Sequence, residues 1–422
     1  MTIRISEDER EKGRISEKLY VLGRRGDHDR GLLNIGRYYS LDGSLGAPVY
    51  LDSTRPHVML VSGKRGYGKS YTLGIVMEEL ARLAEDGARI GVLVVDTLGI
   101  FWTSRFKNLQ QRILLERWGR TPQGIPVRLL VPPDSVQAYR ERGVPARPFA
   151  MRTASLAPHH WYRLFGVTPT SPVGIAIARI LLSLEGKEYD LREMATAVAR
   201  DDRSSEQAKG AAQNFFHLAS SWNIFHPRGM PLHEVVQGGA VTVLDVSAYP
   251  ESLKDVVVAA LAEAIFERRV RARQQDEAFR LGRAEAPSSF PLVWMVIDEA
   301  QVFLPRGGTL SKQVLIPQWM RQGRQPGLSL LLATQQPSAL DPEVLSHSDL
   351  IACHRLTAQQ DVRALNKVRP TYMQGDISEA LKKVGTERGV ALVIDDTTEA
   401  VQVVKVRPRL SWHGGGEPSA VD

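Results

Sequence analysis

The chain has 422 residues, 43% of them hydrophobic, which supports one large elaborated domain or two domains and argues against a disordered protein. A net charge of +7 permits a polyanionic partner without requiring one, and the single cysteine, Cys353, excludes an intramolecular disulfide framework. No apolar run approaches bilayer-spanning length and the N-terminal MTIRISEDEREKGR lacks the apolar centre of a signal peptide, so a cytoplasmic protein with no membrane contact is expected.

In chain order, residues 1 to 18 mix both signs of charge and read as a tail. Short β-like runs at Leu32 to Tyr39 and Pro48 to Leu51 predict a small, barrel-like β element, so 1–57 is set apart from a core over 58–410. Val58 to Val61 predicts a buried strand and Tyr71 to Glu85 a helix stopped by Asp86-Gly87. Further buried strands are predicted at Ile90 to Asp96 and Val127 to Val131, followed by loops rich in Pro and Arg from Pro132 into the 160s. Residues 172 to 235 carry helical periodicity, as in Val173-Ile177-Ile180-Leu181-Leu184, and read as a helical insertion. The strand rhythm returns at Ala240 to Val246, Leu292 to Ile297, Leu328 to Ala333, Leu350 to Cys353, Gly389 to Ile394 and Ala400 to Val406. Helices are expected at Ser252 to Arg283 and near Gln313 to Gln322, and a flexible tail over 411–422. Apolar strands without alternation, separated by helices, predict an α/β fold with a largely parallel sheet covered on both faces.

Two motifs carry the chemistry. Gly63-Lys64-Arg65-Gly66-Tyr67-Gly68-Lys69-Ser70 is a complete phosphate-binding loop between a strand and a helix. Gly63, Gly66 and Gly68 let backbone N–H groups wrap a phosphate chain, Lys69 reaches the outer phosphates, Ser70 ligates Mg²⁺, and Tyr71 follows at the nucleotide. Downstream, the strand Leu292 to Ile297 ends in Asp298-Glu299, so Asp298 is expected to hold Mg²⁺ and Glu299 to polarise the attacking water, which favours hydrolysis over transfer to a small molecule. A third strand ends at Thr334-Gln335, placing Gln335 where ligands of open α/β sheets bind. Arg321 and Arg324, just before that strand, and Arg55, just before the first core strand, are candidates for stabilising transferring phosphate in the same or a neighbouring subunit. Arg306 and Lys312 in a glycine-containing loop, and Arg105 and Lys107 among aromatics, are candidate DNA contacts, although such aromatics equally anchor a loop to the core. Arg268 to Arg273 reads first as a solvated face or subunit contact.

GKRGYGKSYTLG, VVDTLGIF, WMVIDEAQVFLP and RQGRQPGLSLLLATQQPSALDPEVLS, with Arg407-Pro408-Arg409 and His413-Gly414-Gly415, occur in the order found in the HerA/FtsK branch of the additional-strand ATPases. The chain most resembles HerA-type DNA translocases. The resemblance implies a RecA-like core, a homo-oligomeric, hexameric ring around double-stranded DNA, and ATP as fuel. It matches Lys69 and Ser70 to the phosphate loop, Asp298 and Glu299 to the Walker B pair, Gln335 to the sensor glutamine, Arg324 to an arginine acting at the nucleotide, and Arg55 to the neighbourhood of a trans-acting arginine. The family's N-terminal barrel is longer than the stretch present here, and Ile100 stands where the family often has an acid. A partner nuclease or other effector, in DNA end processing or phage defence, is expected. The alternatives are a regulatory or scaffolding ring that is no processive motor, a membrane DNA-transfer motor, and a structural module.

Overall fold

The computed structural model describes residues 20–25, 29–40, 42–368 and 377–416. Its strands, in chain order, are β1 (Tyr20–Leu22), β2 (Leu32–Tyr39), β3 (Leu45–Asp52), β4 (Val58–Ser62), β5 (Ile90–Asp96), β6 (Val127–Val131), β7 (Ala146–Pro148), β8 (Met151–Arg152), β9 (Phe225–His226), β10 (Val241–Asp245), β11 (Leu292–Ile297), β12 (Leu328–Thr334), β13 (Leu350–Cys353), β14 (Val390–Asp395) and β15 (Ala400–Val406). Thirteen of them form one sheet in the order β1-β3-β2-β15-β14-β13-β4-β12-β11-β5-β10-β6-β7. From β13 to β7 every neighbouring pair is parallel. The central strands β4, β5 and β10 are buried at every residue, so apolar side chains without alternation were the correct signature of a sheet covered on both faces.

The first helix, α1 (Lys69–Glu85), buries thirteen of its seventeen residues, so helix packing rather than propensity holds it in place. On the other face, helix Glu251–Arg280 buries Leu253, Val256, Val257, Leu261 and Ile265. Each such side chain contributes about 1.5–3 kcal/mol on leaving water. Arg269 of this helix is buried too, and donates to the carbonyls of Pro326 and Phe290 at 2.7 and 2.8 Å. That arginine run is therefore partly an internal brace, not a solvated face throughout. Helices Pro172–Ser183, Leu191–Ala199 and Glu206–Ser220 fall in the stretch expected as helical.

Four expectations need correction. The N-terminal strands are not a separate barrel-like element: β2 pairs with β15, so they extend the main sheet across its antiparallel edge. The stretch after Pro132 is not loop alone, because helix Val136–Glu141 delivers the edge strand β7. The helix near Gln313 to Gln322 is α-helical only over Leu310–Val314 and widens into a π-helix over Leu315–Arg321. Pro317 lies inside it and offers no N–H to an α-helical ladder. Finally, residues 411–416 are not a free tail. Ser411 is fully buried and Lys107 bridges to it. The initial tail, residues 1–18, and the end of the chain, 417–422, lie outside the described residues.

Candidate active site

The strand β4 delivers the phosphate loop to the carboxyl edge of the sheet, and α1 leaves from it. Gly68 caps α1 with φ 117°, a left-handed conformation that only glycine adopts readily. Gly63 lies so close to His354 that a Cβ there would sit 2.7 Å from the histidine's own Cβ. His354, fully buried after β13, forms the floor of the loop. Burial pushes its pKa down to about 4, so the ring is neutral: Nδ1–H donates to the Val390 carbonyl and Nε2 accepts from the Thr72 hydroxyl. Arg355 holds the loop's tip, donating to the Tyr67 hydroxyl at 3.0 Å and lying 5.3 Å over its ring.

Lys69 Nζ donates to the Lys64 carbonyl of its own loop at 3.2 Å. Burial lowers its pKa, against the pull of the Glu299 and Asp298 carboxylates. Ser70 Oγ donates to Asp298 Oδ2 at 2.8 Å. Asp298 is fully buried at the end of β11, and burial pushes its carboxyl up to about 6. Glu299 follows with φ 53°, a left-handed conformation that costs a non-glycine residue roughly 1 kcal/mol or more. That turn carries its carboxylate between two amides. Gln335 Nε2 donates to one oxygen, and Gln301 Nε2 donates to the other at 2.6 Å. Gln301 is oriented in turn by the Thr334 hydroxyl, 2.7 Å from its Oε1.

Lys69, Ser70, Glu299 and Gln335, predicted from three separate segments, thus line one cavity of about 890 Å³, together with Gly66, Gly68 and Tyr71. A hydroxyl beside a buried carboxylate is the hard-oxygen donor set that suits Mg²⁺, so Ser70 and Asp298 fit that ion.

The arginines are elsewhere. Arg55 and Arg324 line a second cavity of about 250 Å³ with His57 and Asp349, at the amino ends of β4 and β12. Seven residues of β12 separate Arg324 from Gln335, about 20 Å of strand. Neither arginine can serve the phosphate loop of its own chain, which corrects the same-subunit option. Arg321 is ion-paired with Glu343. Lys312, in the short helix Leu310–Val314, is tied to Asp341 at 2.9 Å, whereas Arg306 is exposed on the loop before it. Arg105 donates to the Val127 carbonyl, and Trp102 packs edge-on against Phe106 and Tyr139, so those aromatics anchor the loop that also carries Lys107.

Reasoning from residues missed Gln301, His354 and Arg355. Only Gln301 carried a signal, as the next polar side chain after the Asp-Glu pair.

A family model described as the helicase HerA central domain matches residues 33–265. The chain belongs to this family. The family's curated members include the DNA double-strand break repair helicases HerA of Pyrococcus furiosus and Saccharolobus solfataricus. The first is 25% identical over 187 residues, covering 40% of this chain and 33% of the relative. The second is 23% identical over 361 residues, covering 84% of this chain and 65% of the relative. This chain therefore spans less than two thirds of either relative. Among solved structures, VirB4 of Thermoanaerobacter pseudethanolicus superposes with a TM-score of 0.57 at 13% identity, covering 90% of this chain and 98% of that one. The bacterial conjugative coupling protein TrwB gives 0.54 at 12% identity, covering 94% and 98%. These likenesses show a shared RecA-like P-loop fold. No described helix is long and apolar enough to cross a membrane.

Proposed function

We propose that this chain is a Mg²⁺-dependent ATPase that moves along double-stranded DNA as a hexameric ring in the cytoplasm, serving a partner nuclease or other effector. The observation that carries the ATPase reading is the convergence of Ser70 on Asp298 and of Gln335 on Glu299 at the mouth of the loop's cavity. Family membership and the relatives' names support the DNA reading.

In this reading, incoming phosphate takes Lys69 Nζ from the Lys64 carbonyl, exchanging a neutral acceptor for an anionic one. Ser70 and Asp298 would hold Mg²⁺, which when bound neutralises phosphate charge. Glu299 accepts a proton from the attacking water, and Gln335, already within hydrogen-bonding distance of that carboxylate, positions the water. Rate comes mainly from positioning and charge stabilisation. Arg55 and Arg324 of one subunit face the nucleotide of the next, so an isolated protomer should turn over slowly. The exposed Arg306, with Arg105, Lys107 and Lys312, supplies phosphate contacts for DNA.

The test is ATP turnover by the purified chain with and without duplex DNA, alongside its mass in solution, for wild type and Glu299→Gln. A multimeric mass, stimulation by DNA and a variant that binds ATP but hydrolyses it about 10²–10⁴-fold more slowly are expected. Wild-type turnover in Glu299→Gln removes the assigned base. Turnover that answers to a co-purifying protein and ignores DNA favours a regulatory ring.

A further inference from the structure

A recess of about 660 Å³ lies at the amino ends of β10 and β11, on the opposite edge of the sheet from the phosphate loop, and the ATPase reading makes no use of it. Pro291 lines this recess, and the six residues of β11, about 20 Å of strand, separate it from Asp298. The volume falls among those of small-molecule sites, about 300–1,000 Å³. Its wall is cationic. Arg128 comes from β6, Arg147 from the edge strand β7 and Arg268 from helix Glu251–Arg280. Glu234 is the one carboxylate among the described lining residues, and it is ion-paired with Arg147. Arg268 lies 5.8 Å over the Phe290 ring and pairs with no carboxylate among the described residues.

Arg128 is the residue that points to a ligand. Its Nη1 is buried without a hydrogen-bond acceptor. A guanidinium carries five N–H donors and accepts nothing, so only an oxygen-rich partner can satisfy it. The buried Arg269 shows the usual solution in this chain, with Nε and Nη1 on the carbonyls of Pro326 and Phe290. No such carbonyl reaches Arg128 Nη1. Burial, then the Arg147 guanidinium, lower the Arg128 pKa, against the pull of Glu234. Two like charges therefore crowd together beside a single carboxylate, a strain that an added anion relieves.

We propose that this recess is an anion site for the phosphate or diphosphate group of a small molecule, held by Arg128, Arg147 and Arg268 and separate from the nucleotide of the phosphate loop. Three guanidiniums against one carboxylate leave two positive charges unmatched. A phosphate dianion matches both, and a single carboxylate does not. Guanidinium forks also present paired N–H donors at the spacing of phosphate oxygens.

Calorimetric titration of the full chain with pyrophosphate tests it, in a Lys69→Ala background that weakens the phosphate loop as a competing anion site. That protein should still bind pyrophosphate. Adding Arg128→Gln should weaken binding about tenfold or more, and Arg128→Lys, which keeps the charge and loses the fork, should fall between. Glu234→Gln frees Arg147 and should tighten binding by about threefold or more, a gain that damage to the fold does not produce. In a chain with Lys69 intact, Arg128→Gln should leave Mg·ATP affinity unchanged. No pyrophosphate binding in the Lys69→Ala protein, or binding indifferent to both Arg128→Gln and Glu234→Gln, overturns the site. A hexaglutamate peptide that binds as tightly as pyrophosphate overturns the choice of phosphate over carboxylate. Duplex DNA that displaces pyrophosphate in an Arg128-dependent way overturns the small-molecule assignment, whereas pyrophosphate that stays bound under saturating DNA supports it.

Discussion

At the carboxyl ends of β4, β11 and β12, Lys69, Ser70, Asp298, Glu299 and Gln335 each hydrogen-bond within the chain. At the amino ends of β4 and β12, Arg55 and Arg324 stand exposed and pair with no carboxylate among the described residues, beside a buried histidine. That histidine, His57, donates to Asp349 at 2.6 Å and lies 3.7 Å from Asp52, an ion-pair distance. The contrast separates two kinds of order. One end can be preorganised by a single chain, because its charges are already paired. The other end carries a buried histidine beside exposed cations, which in the proposed ring would meet the nucleotide of a neighbouring subunit.

The sharpest way to break this comparison is to disable the ends separately. Lys69→Ala and Arg324→Ala should each lower turnover by about 10³-fold or more. Mixing the two proteins should restore a measurable share, since some interfaces then combine an intact loop with an intact arginine. A mixture as inactive as its components would falsify action across an interface.

A second test bears on how the nucleotide end is held. Glu78→Gln removes one charge from a cluster whose members are about 1–3% exposed, so unfolding in urea should show a loss of about 3–5 kcal/mol. A loss below 1 kcal/mol would mean that the segment Arg407 to Ser411 is not braced through this glutamate.

The opposite end should answer to pH. Burial pulls the His57 pKa down, but the Asp349 and Asp52 carboxylates outweigh it and hold the value at about 9. A raised pKa in the folded state stabilises the protein fully below the unfolded value of about 6.5, and that contribution is lost as pH rises through 9. Stability should therefore fall by on the order of 3 kcal/mol between pH 6.5 and 9.5. His57→Gln should flatten this dependence, and a variant with the wild-type slope would show that another group is responsible.

The smallest effect sharpens the nucleotide end alone. Gln301→Leu frees one oxygen of Glu299, so turnover should drop about tenfold to a hundredfold while ATP affinity holds. An equal loss in affinity would instead mark Gln301 as a binding residue.

Much of this was written locally. The phosphate loop, the Asp-Glu pair and the order of strands and helices came from glycine spacing and apolar runs, which act over a few residues at a time. Gln335 was legible because a polar residue ending a buried strand falls at the sheet's functional edge. Arg324 was legible as a residue but not as a place, since its position depends on which strand ends lie together. The same holds for the N-terminal strands: their runs were visible, but the pairing of β2 with β15 joins residues far apart in the chain.

By itself, then, the sequence determined that a phosphate-loop motif and an adjacent Asp-Glu pair exist at strand ends, and that a covered, largely parallel sheet carries them. Only the tertiary structure decided which charges meet. Arg407 finds Glu78 across 329 positions, and Arg409 lies 3.5 Å from the same carboxylate, because buried ions must be paired wherever the chain happens to bring them. Periodicity reports which face of an element is buried. It holds no record of the partner waiting on the other side.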